Sequence, residues 1–204
     1  LCYNEITKRV SKPTKSYYLG PSYNDKQILN EIKKFKLKFN RPKNLEKEIA
    51  KKIFEGKVIA HFNGKMEFGP RALGNRSILC SAKNSRINND LNKKLGRTEF
   101  MPFAPILLKD YAKTYFNIDS SLDDYKFMTI TCSCKSKMIN SCPAAVHIDN
   151  TARPQIIDKK INLRLFNILT EYKKVSNVPV MINTSFNMHE EPIVCSPNDA
   201  IRGF

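Results

Sequence analysis

Three short polar clusters carry the side chains that could do chemistry in this sequence. The first runs from Gly64 to Ser77, GKMEFGPRALGNRS, and holds three of the chain's seven glycines together with Lys65, Arg71 and Arg76. Glycine lets backbone approach a ligand closely and adopt positive φ. Guanidinium groups bind phosphate or carboxylate oxygens in pairs. Gly plus Arg directly after a buried strand suits an anion site. The other reading is a structural turn whose arginines pair with local acids such as Glu67. No Walker-type G-x-x-x-x-G-K-[ST] loop is present.

The second cluster, His147 to Gln155 (HIDNTARPQ), places an imidazole, a carboxylate, a hydroxyl and the Arg153 guanidinium within nine residues. Read as a strand, it puts His147 and Asp149 on one face, either as an oriented base or as a structural pair. The third cluster, Asn183 to Asn187 (NTSFN), follows the apolar run Val180 to Ile182. Four small hydrogen-bonding side chains there could grip a polar ligand, or close an Asx or Ser/Thr turn on their own backbone. No Ser-His-Asp constellation and no nucleophilic Cys signature accompany them. The balance of Lys, Arg, Asn, Ser and Thr favours holding a phosphorylated substrate over covalent catalysis.

Elements must position these clusters. Apolar spacing predicts a helix from Asp25 to about Lys38 and a second one capped by Asn44. A buried strand follows at Lys57 to Phe62, then a short strand at Arg76 to Cys80. Further strands are expected at Phe103 to Leu108, Phe127 to Cys132, Ala144 to Ile148, Val178 to Ile182 and Ile193 to Cys195. Further helices are expected near Asn84, near Tyr111 to Phe116, and after the caps Asn162 and Ser196. Interleaved strands and helices read as α/β with a mixed sheet, and ligands in such sheets gather at the carboxyl ends of strands.

The 204 residues suffice for one large domain or two small ones. No apolar run reaches the length of about 18 residues that a spanning helix needs, and no signal-peptide pattern is present. The formal net charge is +16. Residues 1–60 hold 15 basic and 6 acidic side chains, so the excess sits in the first half. It reads chiefly as a solvated Lys-rich surface, with a basic face toward an anionic partner as the alternative. Cys132, Cys134, Cys142 and His147 lack the spacing of a structural zinc site, and the six cysteines read as reduced thiols in a cytoplasmic protein. Leu1 at the start, and a helix announced by Ser196-Pro197 that has barely two turns, suggest a piece of a longer protein.

Five blocks in order carry a resemblance: FGPRALGNRSIL (68–79), RTEFMPFAP (97–105), HIDNTARPQ (147–155), NTSFN (183–187) and EPIVCSPNDAI (191–201). They resemble the carboxy-terminal domain of the large O-carbamoyltransferases, among them the nodulation-factor, cephem and aminoglycoside enzymes. The resemblance spans residues 17–204, with 1–16 as a lead-in from an amino-terminal domain.

It implies a YrdC-like fold, an α/β twisted open mixed sheet flanked by helices. It also implies that ATP and carbamoyl phosphate are joined into a carbamoyl-adenylate, with Mg²⁺ on the phosphates. An iron-binding amino-terminal domain would pass the carbamoyl group to the hydroxyl of a small molecule or glycan. Carried over by motif, Lys65, Arg71, Arg76 and His147 would serve the chemistry. Arg97, Thr151, Arg153, Asn183, Ser185 and Asn187 would line the nucleotide and carbamoyl site. Met101 and Leu95 stand where many members have Arg and Lys, and Asn150 where many have Gly. Alternatives are a YrdC-like RNA- or nucleotide-binding module and a catalytically silent scaffold. No nucleic-acid or membrane partner is expected.

Overall fold

The computed structural model describes Ile6 and residues 16–94, 96, 103–188 and 190–203. In chain order the elements are α1 (Asp25–Lys34), α2 (Leu45–Phe54), β1 (Ile59–Phe62), β2 (Arg76–Ser81), α3 (Arg86–Lys94) and β3 (Ala104–Leu108). There follow α4 (Ala112–Tyr115), β4 (Cys132–Ser133), α5 (Ser136–Ser141), β5 (Thr151–Ala152), β6 (Gln155–Ile157), α6 (Leu163–Ser176), β7 (Val180–Ser185) and α7 (Pro197–Arg202).

Local chemistry sets the helix ends. Asn24 caps α1 in a reciprocal box with Gln27, each side chain bonded to the other's backbone N–H at 2.9 Å. The expected extension to Lys38 fails because the α-ladder stops at Lys34 and Lys36 turns to φ 53°. Asn44 and Asn162 cap α2 and α6 as anticipated. Ser196 and Asp199 form a second capping box at α7, with Pro197 at the first helical position.

The five-stranded sheet has the order β1-β2-β7-β3-β6. All neighbours are antiparallel except β3 and β6. Strand alternation sends side chains to two cores. On one face α2 and α6 bury Ile53, Leu165, Ile168, Leu169 and Tyr172 against Leu79, Ile106 and Met181. On the other, Leu91 of α3, Ala112 and Tyr115 of α4 and Met138 of α5 pack on Ile78, Leu107, Val180 and Ile182. The mixed sheet flanked by helices is the architecture expected from the sequence. No helix among the described residues is long and apolar enough to cross a membrane.

Three strand expectations do not hold. Residues 122–127 form a 3-10 turn that ends at Met128 with φ 54°, leaving only Cys132–Ser133 as strand. Pro143 opens another 3-10 turn in place of the strand at Ala144 to Ile148, because proline has no N–H to give a ladder. Ile193 to Cys195 joins no sheet; Val194 makes a single backbone bond to Phe186. Conversely β6, buried at all three positions, went unforeseen. A run of three apolar or amide residues is too short to show a period.

Register places the site. Phe62 at the end of β1 lies opposite Arg76 at the start of β2. Ser77 lies opposite Ser185 at the end of β7, and Asn183 opposite Ala104 at the start of β3. Gln155, which starts β6, pairs with Ile106. One edge of the sheet therefore collects two strand ends and three strand starts. The second cluster precedes β6 rather than following a strand, which corrects the expectation of three carboxyl-end loops.

Candidate functional site

The first cluster is a loop wrapped around a buried carboxylate. Glu67 is 4 % exposed. Its Oε1 accepts the backbone N–H groups of Leu73 at 2.7 Å, Asn75 at 2.7 Å and Arg76 at 3.3 Å. Three N–H donors on one oxygen give the turn its shape. Gly74 sits at φ 113°, and a Cβ there would stand 2.2 Å from Leu165 Cδ2, so no other residue fits without displacement. The Gly74 carbonyl accepts the Nδ1–H of His61. Burial pushes the His61 imidazole down to about 4, so it is neutral at pH 7.

Glu67 thus pairs with backbone and with neither arginine side chain. The two arginines have different fates. Arg76 is fully buried, and its terminal nitrogens donate to the carbonyls of Asn63, Gly64, Asn75 and Pro21 at 2.8–3.3 Å. The guanidinium carbon lies 3.7 Å from the centroid of Phe62. The group expected to meet phosphate is thus engaged with the backbone of its own loop.

Arg71 is exposed, and burial first and then the Arg71 charge lower the pKa of Arg153 in the second cluster. Arg153 Nε is buried and has no partner. Among the described residues neither Arg71 nor Arg153 is ion-paired. Two like charges whose fields add, one of them partly desolvated, are an arrangement that an anion would relieve.

The second cluster is a turn, which replaces the strand expected to align His147 and Asp149. Asn150 takes φ 60°, and its N–H donates to the His147 carbonyl at 3.0 Å. Asp149 Oδ1 accepts the Thr151 hydroxyl at 2.7 Å and the Thr151 N–H at 3.0 Å, a closed Asx turn. Those bonds hold the Asp149 carboxyl below its usual range. His147 Nδ1 lies 3.0 Å from the Thr151 hydroxyl oxygen. That hydroxyl gives its proton to Asp149, so the imidazole Nδ1–H donates to it and Nε2 is the free acceptor of the neutral ring. Burial lowers the His147 pKa; Asp149 opposes this and Arg153 adds to it. The ring is neutral at pH 7.

The third cluster splits as well. Asn183 is 1 % exposed. Its Nδ2 donates to Ala72 O at 3.2 Å and Gln155 Oε1 at 2.7 Å, while its Oδ1 is buried without a partner. Asn187 Nδ2 donates to the carbonyls of Met188 and Glu191. Ser185 is half-buried at the end of β7, opposite Ser77.

Of the residues singled out in the sequence, Arg71, Arg153 and His147 are coupled electrostatically, and Thr151 hydrogen-bonds His147. Asn183 reaches the loop from beneath. Lys65 is exposed on the same loop. Arg97 lies outside the described residues, as do Leu95 and Met101. Sequence reasoning missed His61, Gln155, Tyr18 and Asn162. Their hydrogen bonds to this loop span 13 to 87 residues of sequence, which no local pattern encodes.

Among the described residues no group of three or more His, Cys, Asp or Glu could hold a metal ion. Burial instead raises the thiols of Cys132 and Cys142 to about 12 and of Cys134 to about 11. The electrostatic coupling of Arg71, Arg153 and a neutral imidazole suits binding an oxyanion.

A family model described as the carbamoyltransferase C-terminus matches residues 50–204. An uncharacterized protein of Methanocaldococcus jannaschii is 37% identical, over 87% of this chain and 34% of its own length. Nodulation protein NolNO of Sinorhizobium fredii is 34% identical, over 92% of this chain and 28% of its own. Nodulation protein NolO of Bradyrhizobium diazoefficiens is 33% identical, over 92% and 35%. The chain thus spans about a third of the length of these relatives. Among solved structures, full-length HypF in its phosphate- and nucleotide-bound form aligns with a TM-score of 0.56 at 15% identity. The alignment covers 81% of this chain and 20% of HypF, a likeness of fold.

Proposed function

The chain belongs to the family of the carbamoyltransferase C-terminus, and from that premise we propose that it activates the carbamoyl group within a larger carbamoyltransferase. In this reading it binds carbamoyl phosphate and ATP at the sheet edge formed by Arg71, Arg153, His147 and Ser185. Water cleaves carbamoyl phosphate into carbamate and inorganic phosphate. A carbamate oxygen then bonds to the α-phosphorus of ATP as the bond from that phosphorus to the β-phosphate oxygen breaks, and pyrophosphate leaves. The product is a carbamoyl-adenylate. Parts of the protein beyond this chain transfer the carbamoyl group to an acceptor hydroxyl.

The observation that carries the proposal is that neither Arg71 nor Arg153 has an ion pair among the described residues, while Arg153 Nε, like that of Arg76, is buried without a partner. Both reactants are anionic and repel one another where water is excluded. Arg71 and Arg153 offset that repulsion, and do so more strongly as charge builds on the α-phosphate oxygens. Such chemistry is positioning plus electrostatics, and needs no side-chain nucleophile. The neutral His147 ring fits a hydrogen-bonding role rather than a third fixed charge.

Mg²⁺ would travel on the triphosphate, because the described residues offer no acidic cage for it; when bound it would neutralise phosphate charge. Lys65, exposed on the loop, can swing toward the same phosphates. Arg76 supports the loop that carries Arg71. Calorimetric titration of the intact protein with carbamoyl phosphate, and separately with a non-hydrolysable ATP analogue and Mg²⁺, tests the site. Binding that Arg71→Ala weakens about 10-fold or more, with measurable binding left through Arg153, is the expected result; equal binding by wild type and variant would remove the proposal.

A further inference from the structure

The backbone of residues 72–76 is held by side chains from three distant parts of the chain. Leu73 is gripped at both its polar atoms. Its N–H donates to Glu67 Oε1 at 2.7 Å. Its carbonyl accepts the Tyr18 hydroxyl at 2.8 Å and Gln155 Nε2 at 2.8 Å. A carbonyl oxygen has two lone pairs, so this one is saturated.

Both donors are themselves fixed. Gln155 is 0 % exposed, and its Oε1 accepts Asn183 Nδ2 at 2.7 Å. Reversing that amide would set oxygen against oxygen at Leu73 and nitrogen against nitrogen at Asn183, so one orientation survives. Burial pushes the Tyr18 hydroxyl well above its ordinary range, so it remains a donor. Asn162 Nδ2 steadies its oxygen at 3.3 Å. Tyr18 belongs to a strap that runs beside residues 66–68. Gly20 N–H donates to Met66 O at 2.9 Å, Met66 N–H to Pro21 O at 2.9 Å, and Phe68 N–H to Tyr17 O at 2.6 Å.

The turn itself needs no such reinforcement, since Gly69 and Gly74 already supply its positive φ values. What needs it is the placement of Arg71, which is exposed and lies two residues before Leu73 on the same loop.

We infer that Tyr18 and Gln155 are positioning residues: by saturating the Leu73 carbonyl they fix the loop that carries Arg71 and so pre-form the anion site. The inference rests on the anion-site reading given above. Its effect is preorganisation, which raises affinity by removing a cost of ordering the loop upon binding.

Affinities of the intact protein for inorganic phosphate and for carbamoyl phosphate, measured well below the unfolding temperature, test it. The variants are Tyr18→Phe, which removes only the hydroxyl, and Gln155→Glu, which keeps the size and cannot donate once ionised. Each is compared with Arg71→Ala and combined with it. Tyr18→Phe and Gln155→Glu should each weaken binding of both ligands about 5-fold, the worth of one hydrogen bond. In the Arg71→Ala background the same changes should cost nothing further, because the group being positioned is gone. A merely structural role would lower the unfolding temperature without that non-additivity.

Wild-type affinity in Tyr18→Phe, or losses that add in full to that of Arg71→Ala, would overturn the inference. Tyr18→Phe suffices if Gln155→Glu does not fold. Wild type and Arg71→Ala binding equally would be a different failure, that of the anion site itself and of this inference with it.

Discussion

Arg153→Met and Arg76→Met should move stability in opposite directions. Arg153 carries a charge whose Nε is buried without a partner and whose pKa is lowered by burial and by the Arg71 charge. A buried unpartnered donor costs about 1–3 kcal/mol, and Met keeps most of the apolar stem. Partial solvent access discounts that figure, so Arg153→Met should stabilise the unliganded protein by about 1 kcal/mol. For a chain of this size that is a rise of about 2–4 °C in Tm.

The same change should weaken carbamoyl phosphate binding by about 2–3 kcal/mol, the worth of a charge-assisted bond, or about 30–150-fold. Arg76→Met should instead lower stability by about 3 kcal/mol or more, since four backbone carbonyls lose a fully buried donor. Differential scanning calorimetry and isothermal titration read both quantities. A fall in Tm for Arg153→Met together with unchanged affinity would show that this guanidinium is structural, and would refute the reasoning.

Three further outcomes follow from the loop and its neighbours. Burial holds His61 at about 4 when folded, against about 6.5 when unfolded. Between those values the unfolded chain binds the extra proton, so stability falls as pH drops from about 6.5 to 4, by about 3 kcal/mol in all; denaturant midpoints across that window check it, and a flat profile would contradict a neutral buried ring. Gly74→Ala should cost about 2–5 kcal/mol from left-handed strain plus the collision with Leu165, read as a loss in urea midpoint. Asn150→Ala should cost about 1 kcal/mol whereas Asn150→Gly is tolerated, since φ 60° at that turn suits Gly and Asn; equal stability of the two variants would argue against the turn.

Much of the frame was legible because capping and periodicity are local. Asn44, Asn162 and Ser196-Pro197 announced their helices, and the apolar runs ending in Phe62, Leu108 and Ile182 announced the edge strand β1 and the inner strands β3 and β7. What failed was also local in cause. Phe127 to Cys132 alternates like a strand, yet Met128 turns left-handed and the segment serves as a 3-10 lead into a two-residue strand. The site was legible as three clusters, and register explains why they meet. Their internal division of labour was not legible. Arg71 and Arg76 look alike in sequence, and only burial separates an exposed guanidinium from one bonded to four carbonyls. Tyr18 carries no motif and Gln155 only closes one, and their importance arises from contacts across 55 and 82 residues of chain.

The central claim is that this sheet edge activates a carbamoyl group on adenylate. The most direct measurement is exchange of labelled pyrophosphate into ATP by the intact protein, with and without carbamoyl phosphate. Exchange that requires carbamoyl phosphate and is lost in Arg71→Ala and Arg153→Met is the predicted result. Exchange that is absent, or that proceeds without carbamoyl phosphate, in a folded protein that binds both ligands would contradict it.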